Sequence, residues 1–322
     1  MSSTDGVQVA VHDLGGDGPP VLFSHATGLL GMLYLPLARE LAGYHGFAID
    51  YRGHGDASAP SNGRFDWNGM RDDALAVLDA LELHDLYGFG HSMGGAVLLM
   101  TELVRPGTFR ALALYEPIVF PPDRPHMDGP PPIVVGARRR RPEFPSRDAA
   151  FENFSSKPPL NVLTPEVLRL YVDHGFRDTP TGTVRLKCEP ENEARTFEEN
   201  MSFDTYSYLA DVTCPVLVMA EPPQDLSPSM SAEETAARLA RGRYHRFEQL
   251  DHFGPLEDPA AVWHAVERAC EAGDFRPRVG PLCDHCGFKP WCPAWGGDPD
   301  RAAFEAPVHY GHGAVQLPLT MA

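Results

Sequence analysis

The chain has 322 residues, 43% of them hydrophobic and 10% aromatic, enough for one large α/β domain with additions and too apolar for wholesale disorder. Lys and Arg number 27 against 44 Asp and Glu, a formal charge of −17 that argues against nucleic acid or anionic membranes as main partners. No apolar stretch approaches the ~20 residues that span a bilayer, and the opening MSSTDGVQVAVHDLGG lacks a basic segment followed by an apolar one, so the expected location is the cytoplasm.

VQVAVHDL alternates like an edge strand, and PPVLFSH is a short apolar run ending in polar residues. MLYLPLARELAG has helical spacing, GFAID reads as a buried strand, and WNGMRDDALAVLDALEL as a second amphipathic helix. LYGFG, then GGAVLLMTELV, then ALALYEP continue the rhythm of strand, helix, strand. Such alternation predicts a mostly parallel sheet covered by helices on both faces. The rhythm breaks after Pro117. Proline-rich chain follows, then helical patches SRDAAFENF and TPEVLRLYVDHGF, until CPVLVMAE, SAEETAARLARG, RYHRFEQL and PAAVWHAVERACEAG resume the pattern. The expected organisation is a core from 1–117 and 211–272, a helical cap insertion over 118–210, and a Cys/Pro/Gly-rich tail over 273–322. The run Arg138 to Arg141 reads as a solvated loop, with anion recognition as the alternative.

GHSMG, Gly90 to Gly94, lies between the strand LYGFG and the helix that follows. A serine hydroxyl becomes a nucleophile only when a base removes its proton, and it must stand clear of its own backbone. A sharp strand-to-helix turn meets the second need, and glycines admit the close packing such a turn requires. An inert Gly/Ser turn is the alternative.

With DYRGHGDAS at Asp50 to Ser58, HATG after PVLFS, and LDHFGPLEDP at Leu250 to Pro259, the chain resembles the α/β-hydrolase-fold enzymes of the esterase and lipase type over about residues 7 to 272. The resemblance implies an α/β-hydrolase fold, a mostly parallel central sheet flanked by helices with an inserted cap. It also implies a triad in the order serine, acid, histidine. Ser92 then is the nucleophile and His252 the base. Asp225, in the loop EPPQD after CPVLVMA, is the preferred acid, with Glu221 and Glu116 as alternatives. The backbone N–H groups of Met93 and Thr27 are the expected oxyanion donors. His91 should point away from Ser92, and His25 and His54 should stabilise loops.

A serine at the elbow selects acyl chemistry. The expected activity is hydrolysis of a small or medium, largely apolar carboxylic ester through an acyl-enzyme, with no cofactor and a small molecule as partner. Thioester hydrolysis, carbon–carbon cleavage and a non-catalytic ligand-binding role are the alternatives. Phe151, Phe154, Leu168, Tyr171, Phe176 and Phe203 are candidates for the pocket lining or for the core of the cap.

The tail segment PLCDHCGFKPWCPAWGG spaces Cys283, Cys286 and Cys292 as C-x2-C-x5-C, a pattern that holds zinc or part of an iron–sulfur cluster. Cys270, His285, His309 and His312 are the candidate fourth ligands. This short stretch also resembles the cysteine-rich C-terminus of RecB-type nucleases, without a nuclease core before it.

Overall fold

The computed structural model describes residues 1–122, 129–199, 203–225 and 227–271. Cys283, Cys286 and Cys292, the three histidines beside them, and the tail as a whole lie outside the described residues. In chain order the first part comprises β1 (Ala10–Gly15), β2 (Pro20–Ser24), α1 (Leu35–Glu40), β3 (His45–Asp50), α2 (Trp67–Ala80), β4 (Leu86–His91), α3 (Met93–Val104) and β5 (Phe109–Tyr115). An excursion follows, with α4 (Pro132–Arg138), β6 (Glu143–Phe144), α5 (Arg147–Ser155), α6 (Pro165–His174), β7 (Phe176–Asp178), β8 (Val184–Leu186) and α7 (Pro190–Glu198). The chain then returns through β9 (Val216–Ala220), α8 (Ser229–Arg238), β10 (Gly242–Arg246), α9 (Gly254–Glu257) and α10 (Pro259–Glu271).

Seven strands form one sheet in the order β1-β3-β2-β4-β5-β9-β10. Only β1 is antiparallel to its neighbour, and it occupies an edge, as its alternating sequence predicts. The strand interiors are apolar on both sides because helices cover both faces. Val77 and Met70 of α2, Val97 and Leu98 of α3, and Ala232 and Ala236 of α8 pack into one buried cluster. Leu37 of α1 and Val262 and Ala265 of α10 pack into the other. From β2 the chain goes to β3 on one side of it and then to β4 on the other. The carboxyl ends of β2 and β4 therefore diverge at a switch point, where open α/β sheets place their ligands.

Local chemistry sets the helix starts. Asp66, Ser146 and Thr164 accept the backbone N–H groups of Gly69, Ala149 and Val167 at the starts of α2, α5 and α6. The helix expected over MLYLPLARELAG is shorter than its pattern. It begins as a 3-10 turn, Gly31–Tyr34, and becomes α-helical only at Leu35, because Pro36 fits the first turn of a helix and not its interior.

The excursion corrects one expectation and adds to another. It is not purely helical, since β6, β8 and β7 form a small antiparallel sheet. The arginine run begins as the last residue of α4 and continues as loop, exposed at Arg138, Arg139 and Arg141 as expected, but it is tied down. Arg138 closes α4 and bonds Glu191 (3.0 Å) and Glu198 (2.7 Å) of α7, Arg140 bonds Glu193 and the Tyr171 hydroxyl, and the Arg141 guanidinium lies 4.4 Å over the Phe144 ring. Leu168, Tyr171 and Phe176 are buried, with Phe151 and Phe154 packed against them, so these residues are core of the excursion. Phe203 packs elsewhere, against the face that carries α2 and α3.

The segment DYRGHGDAS is structural. Arg52 is fully buried and forks onto Asp73, with Nε 2.9 Å from one carboxylate oxygen and Nη2 2.8 Å from the other. Asp50 accepts the Gly31 and Asp56 amides and lies 2.8 Å from His12 Nε2.

Candidate active site

Ser92 follows β4 directly and serves as the N-cap position of α3, at φ 55° and ψ −118°. That conformation costs a non-glycine residue about 1–3 kcal/mol, and the surroundings enforce it. The Ser92 amide donates to the Tyr115 carbonyl (2.9 Å), while its own carbonyl accepts from Gly95, Ala96 and Ile118. The glycines are steric necessities. A Cβ on Gly94 would overlap the Ser24 carbonyl oxygen, one on Gly90 would lie 2.6 Å from the Gly95 Cα, and one on Gly95 would lie 2.9 Å from the Pro117 Cβ. The first amides of α3, Met93 among them, have no carbonyl within the helix to bond. They therefore point at whatever stands before the helix N-terminus.

The loop after β2 is held against this turn. Leu29 N donates to Ala26 O (3.1 Å), which puts Thr27 and Gly28 at the corners, with Gly28 at φ +77°. The Ser24 hydroxyl donates to Gly94 O (2.9 Å) and accepts from the Tyr51 hydroxyl (2.6 Å). His25 accepts the Tyr51 amide at Nε2 (3.1 Å), so its Nδ1 carries the proton donated to Ala26 O (2.8 Å). Burial lowers the His25 pKa to about 3, which keeps that tautomer neutral. His54 is likewise buried, lowered by burial to about 4, and its Nδ1 donates to Arg52 O (3.1 Å). Both histidines fasten loops.

His252 stands in the loop before α9, partly exposed. Its Nδ1 lies 2.6 Å from Glu116 Oε2, and Glu116 is fully buried. The other Glu116 oxygen accepts the Glu221 amide at 2.9 Å. An ionised carboxylate only accepts, so Nδ1 carries the proton and Nε2 keeps its lone pair. Glu116 follows β5 as Ser92 follows β4, and it too has a positive φ, 46°. β4 and β5 are neighbours, so the same backbone twist at two adjacent strand ends lifts the hydroxyl and the carboxylate together.

Asp225, the carboxylate that the sequence reading prefers for this pairing, is exposed, and Glu116 makes the bond instead. The physical reason is direction. Glu116 leaves the sheet at the strand end itself, whereas Asp225 is five residues past the end of β9, on an outer turn. Glu221 is nearer but turned to its own loop, accepting from Gln224 Nε2 and the Ser227 hydroxyl, both at 2.8 Å. Burial, ahead of its other surroundings, raises the Glu221 pKa.

His91, next to the serine in the chain, is fully buried, and its Nε2 lies 2.7 Å from the His252 carbonyl. Tyr115 donates its hydroxyl to the Asp251 carbonyl, also at 2.7 Å. These two residues, and Tyr34 behind His91, are functional neighbours that spacing in the sequence does not signal.

Two cavities among the described residues have neither Ser92 nor His252 in their walls. One of about 210 Å³ is lined by apolar groups including Trp67, Met100, Ile118, Val119 and Phe203. One of its lining residues, Ile118, donates its amide to Ser92 O (3.2 Å). A larger polar cleft of about 400 Å³ is lined by Asp56, Arg177, Lys187, Glu189 and neighbours, with neither Ser92 nor His252 in its wall. Among the described residues, His12, Asp50 and Asp56 come within metal-ligating reach of one another. Their acceptor atoms are already engaged, Asp56 by the Lys187 ammonium at 2.5 Å. No helix among the described residues is long and apolar enough to cross a membrane.

A sequence profile of the Alpha/beta hydrolase family matches residues 11–265. A non-heme chloroperoxidase of Kitasatospora aureofaciens is 33% identical over 175 residues, which cover 51% of this chain and 62% of that relative. The chain thus spans less than two thirds of that relative's length. The solved structure of an E-2-(acetamidomethylene)succinate hydrolase superposes with a TM-score of 0.68 at 19% identity, covering 84% of this chain and 98% of the other. An esterase from Exiguobacterium antarcticum gives a TM-score of 0.64 at 21% identity, covering 84% and 98%. At such identities these two likenesses speak to fold alone.

Proposed function

Since the chain belongs to the alpha/beta hydrolase family, we propose that it is a serine hydrolase in which Ser92 attacks, His252 moves the proton and Glu116 holds the imidazole. The observation that carries this reading is the Nδ1 bond from His252 to the buried Glu116, which leaves Nε2 as the free basic nitrogen beside the serine turn. In the proposed reaction His252 Nε2 takes the Ser92 hydroxyl proton while Oγ adds to the substrate carbonyl. Negative charge then develops on the carbonyl oxygen, and the Met93 and Thr27 N–H groups receive it, each such donor typically contributing about 10²–10³ in rate. The imidazolium, stabilised by Glu116, returns the proton to the leaving group as the acyl-enzyme forms. Water, activated by the same nitrogen, adds to the acyl carbon and releases the acid and the regenerated serine. No cofactor enters any of these steps.

The substrate is proposed to be a small or medium carboxylic ester with a largely apolar acyl group. In support, the apolar cavity lined by Ile118, whose amide bonds the Ser92 carbonyl, has about 210 Å³, below the usual range for drug-sized ligands. Labelling with a fluorophosphonate, beside a Ser92→Ala variant, tests the nucleophile; equal labelling of the two proteins would defeat it. A series of p-nitrophenyl esters of increasing acyl length tests the pocket, with turnover expected to fall sharply beyond medium chains.

The likeness to a chloroperoxidase favours a second reading of the same intermediate. Hydrogen peroxide in place of water would release a peracid from the acyl-enzyme, and a halide-oxidation assay with acetate and peroxide reads it directly.

A further inference from the structure

We propose that His91 and Tyr115 form a positioning clamp that fixes the loop carrying the proton-transfer histidine. This rests on the assignment of Ser92 and His252 above. The two residues are partners in register across β4 and β5, the last pair before the strands end. Each immediately precedes a member of the triad, His91 before Ser92 and Tyr115 before Glu116. Their rings meet edge to face at 5.8 Å, and both side chains are fully buried.

From that shared position they hold consecutive carbonyls of one loop. The Tyr115 hydroxyl donates to Asp251 O, and His91 Nε2–H donates to His252 O, each at 2.7 Å. A carbonyl can only accept, so the proton of His91 must be on Nε2. Its Nδ1, 2.8 Å from the Tyr34 hydroxyl, then accepts from that phenol, which fixes the tautomer. Gly254 completes the fit, because a Cβ there would overlap the Tyr115 hydroxyl. The loop is thus tied to β4 and β5 by two side-chain bonds to its carbonyls and by the His252–Glu116 bond. The strand ends that set the height of the serine and the carboxylate also set the height of the imidazole. A base that drifts by ~1 Å can lose about a hundred-fold in rate, so these bonds act on turnover more than on substrate capture.

The experiment compares Tyr115→Phe, His91→Ala and His91→Gln with the wild type, measuring the rate of fluorophosphonate labelling and kcat and KM on a p-nitrophenyl ester, with thermal melts to confirm folding. The glutamine amide can place a donor near the site of Nε2. The expected result is a roughly ten-fold loss in labelling rate and kcat for Tyr115→Phe and a larger loss for His91→Ala, at near-constant KM, with most of the rate restored in His91→Gln. If His91→Ala does not fold, Tyr115→Phe carries the test, since it removes one oxygen only. Wild-type labelling rates in folded Tyr115→Phe, or no difference between folded His91→Ala and His91→Gln, would overturn the clamp and leave the nucleophile intact. Failure of the wild type to label at Ser92 would overturn both proposals.

Discussion

Glu116→Gln discriminates most sharply between the two carboxylates that compete for His252. Glu116 is fully buried and uses both oxygens, one on the Glu221 amide at 2.9 Å and one on His252 Nδ1 at 2.6 Å. A glutamine of the same shape can keep its oxygen on the Glu221 N–H, but its NH₂ then faces Nδ1–H. Two donors cannot bond, so the imidazole takes the other tautomer, with the proton on Nε2 and no lone pair for the serine hydroxyl. The same chemical change in a serine protease triad lowers kcat about 10⁴-fold, which at 1.36 kcal/mol per decade is about 5 kcal/mol of barrier. Asp225→Asn, on an exposed turn, should change kcat by less than about two-fold. The assay is kcat on p-nitrophenyl butyrate near pH 7.5, with titration of active sites by fluorophosphonate to count competent enzyme. A loss of a thousand-fold or more in Asp225→Asn, with Glu116→Gln near wild type, would refute the argument from strand-end direction.

Three further outcomes are expected. Asp73→Asn leaves the fully buried Arg52 guanidinium with Asp5 as its one remaining carboxylate partner and should lower unfolding free energy by about 1.5–3 kcal/mol; a urea midpoint within error of wild type would contradict it. Gly94→Ala drives a methyl into the Ser24 carbonyl and should cost both folding stability, by about 1–3 kcal/mol, and most labelling of Ser92, read by melting and by probe. His25 and His54 have pKa values lowered to about 3 and about 4 against about 6.5 when unfolded, so the unfolded chain binds protons first as pH falls. Their contribution is complete above pH 6.5 and is lost progressively toward pH 4. Urea midpoints should therefore drop between pH 7 and 5, and drop less in His54→Asn; an unchanged pH slope in that variant would count against the assignment.

The elbow was legible because its glycines answer to backbone sterics that a short window records. Gly90, Gly94 and Gly95 each lie where a methyl would strike Ser24, Pro117 or the turn itself. The carboxylate that bonds His252 was not, because β5 and β9 are neighbours and the chain carries carboxylates just past both of their ends. What separates them is three-dimensional: Glu116 bonds His252, Glu221 bonds Gln224 and Ser227, and Asp225 is exposed. That the residue ends its strand directly before Pro117, as Ser92 ends its own, was the available hint. The ion pairs of the arginine run were not legible because its partners, Glu191, Glu193 and Glu198, come some 50 residues later on α7. The small antiparallel sheet escaped notice for a simpler reason: strands of two or three residues are too short to show alternation.

The excursion departs from the end of β5 and rejoins at β9, and those two strands lie side by side. Its entrance and exit are therefore neighbours, like the two feet of an arch, and the span between them is not fixed by the sheet. Arches of other lengths and linings can stand on the same feet while the serine turn, the glutamate and the histidine loop stay in place. Chimeras that exchange the segment after Val119 for that of a relative should thus retain probe reactivity while acquiring a different range of acyl groups.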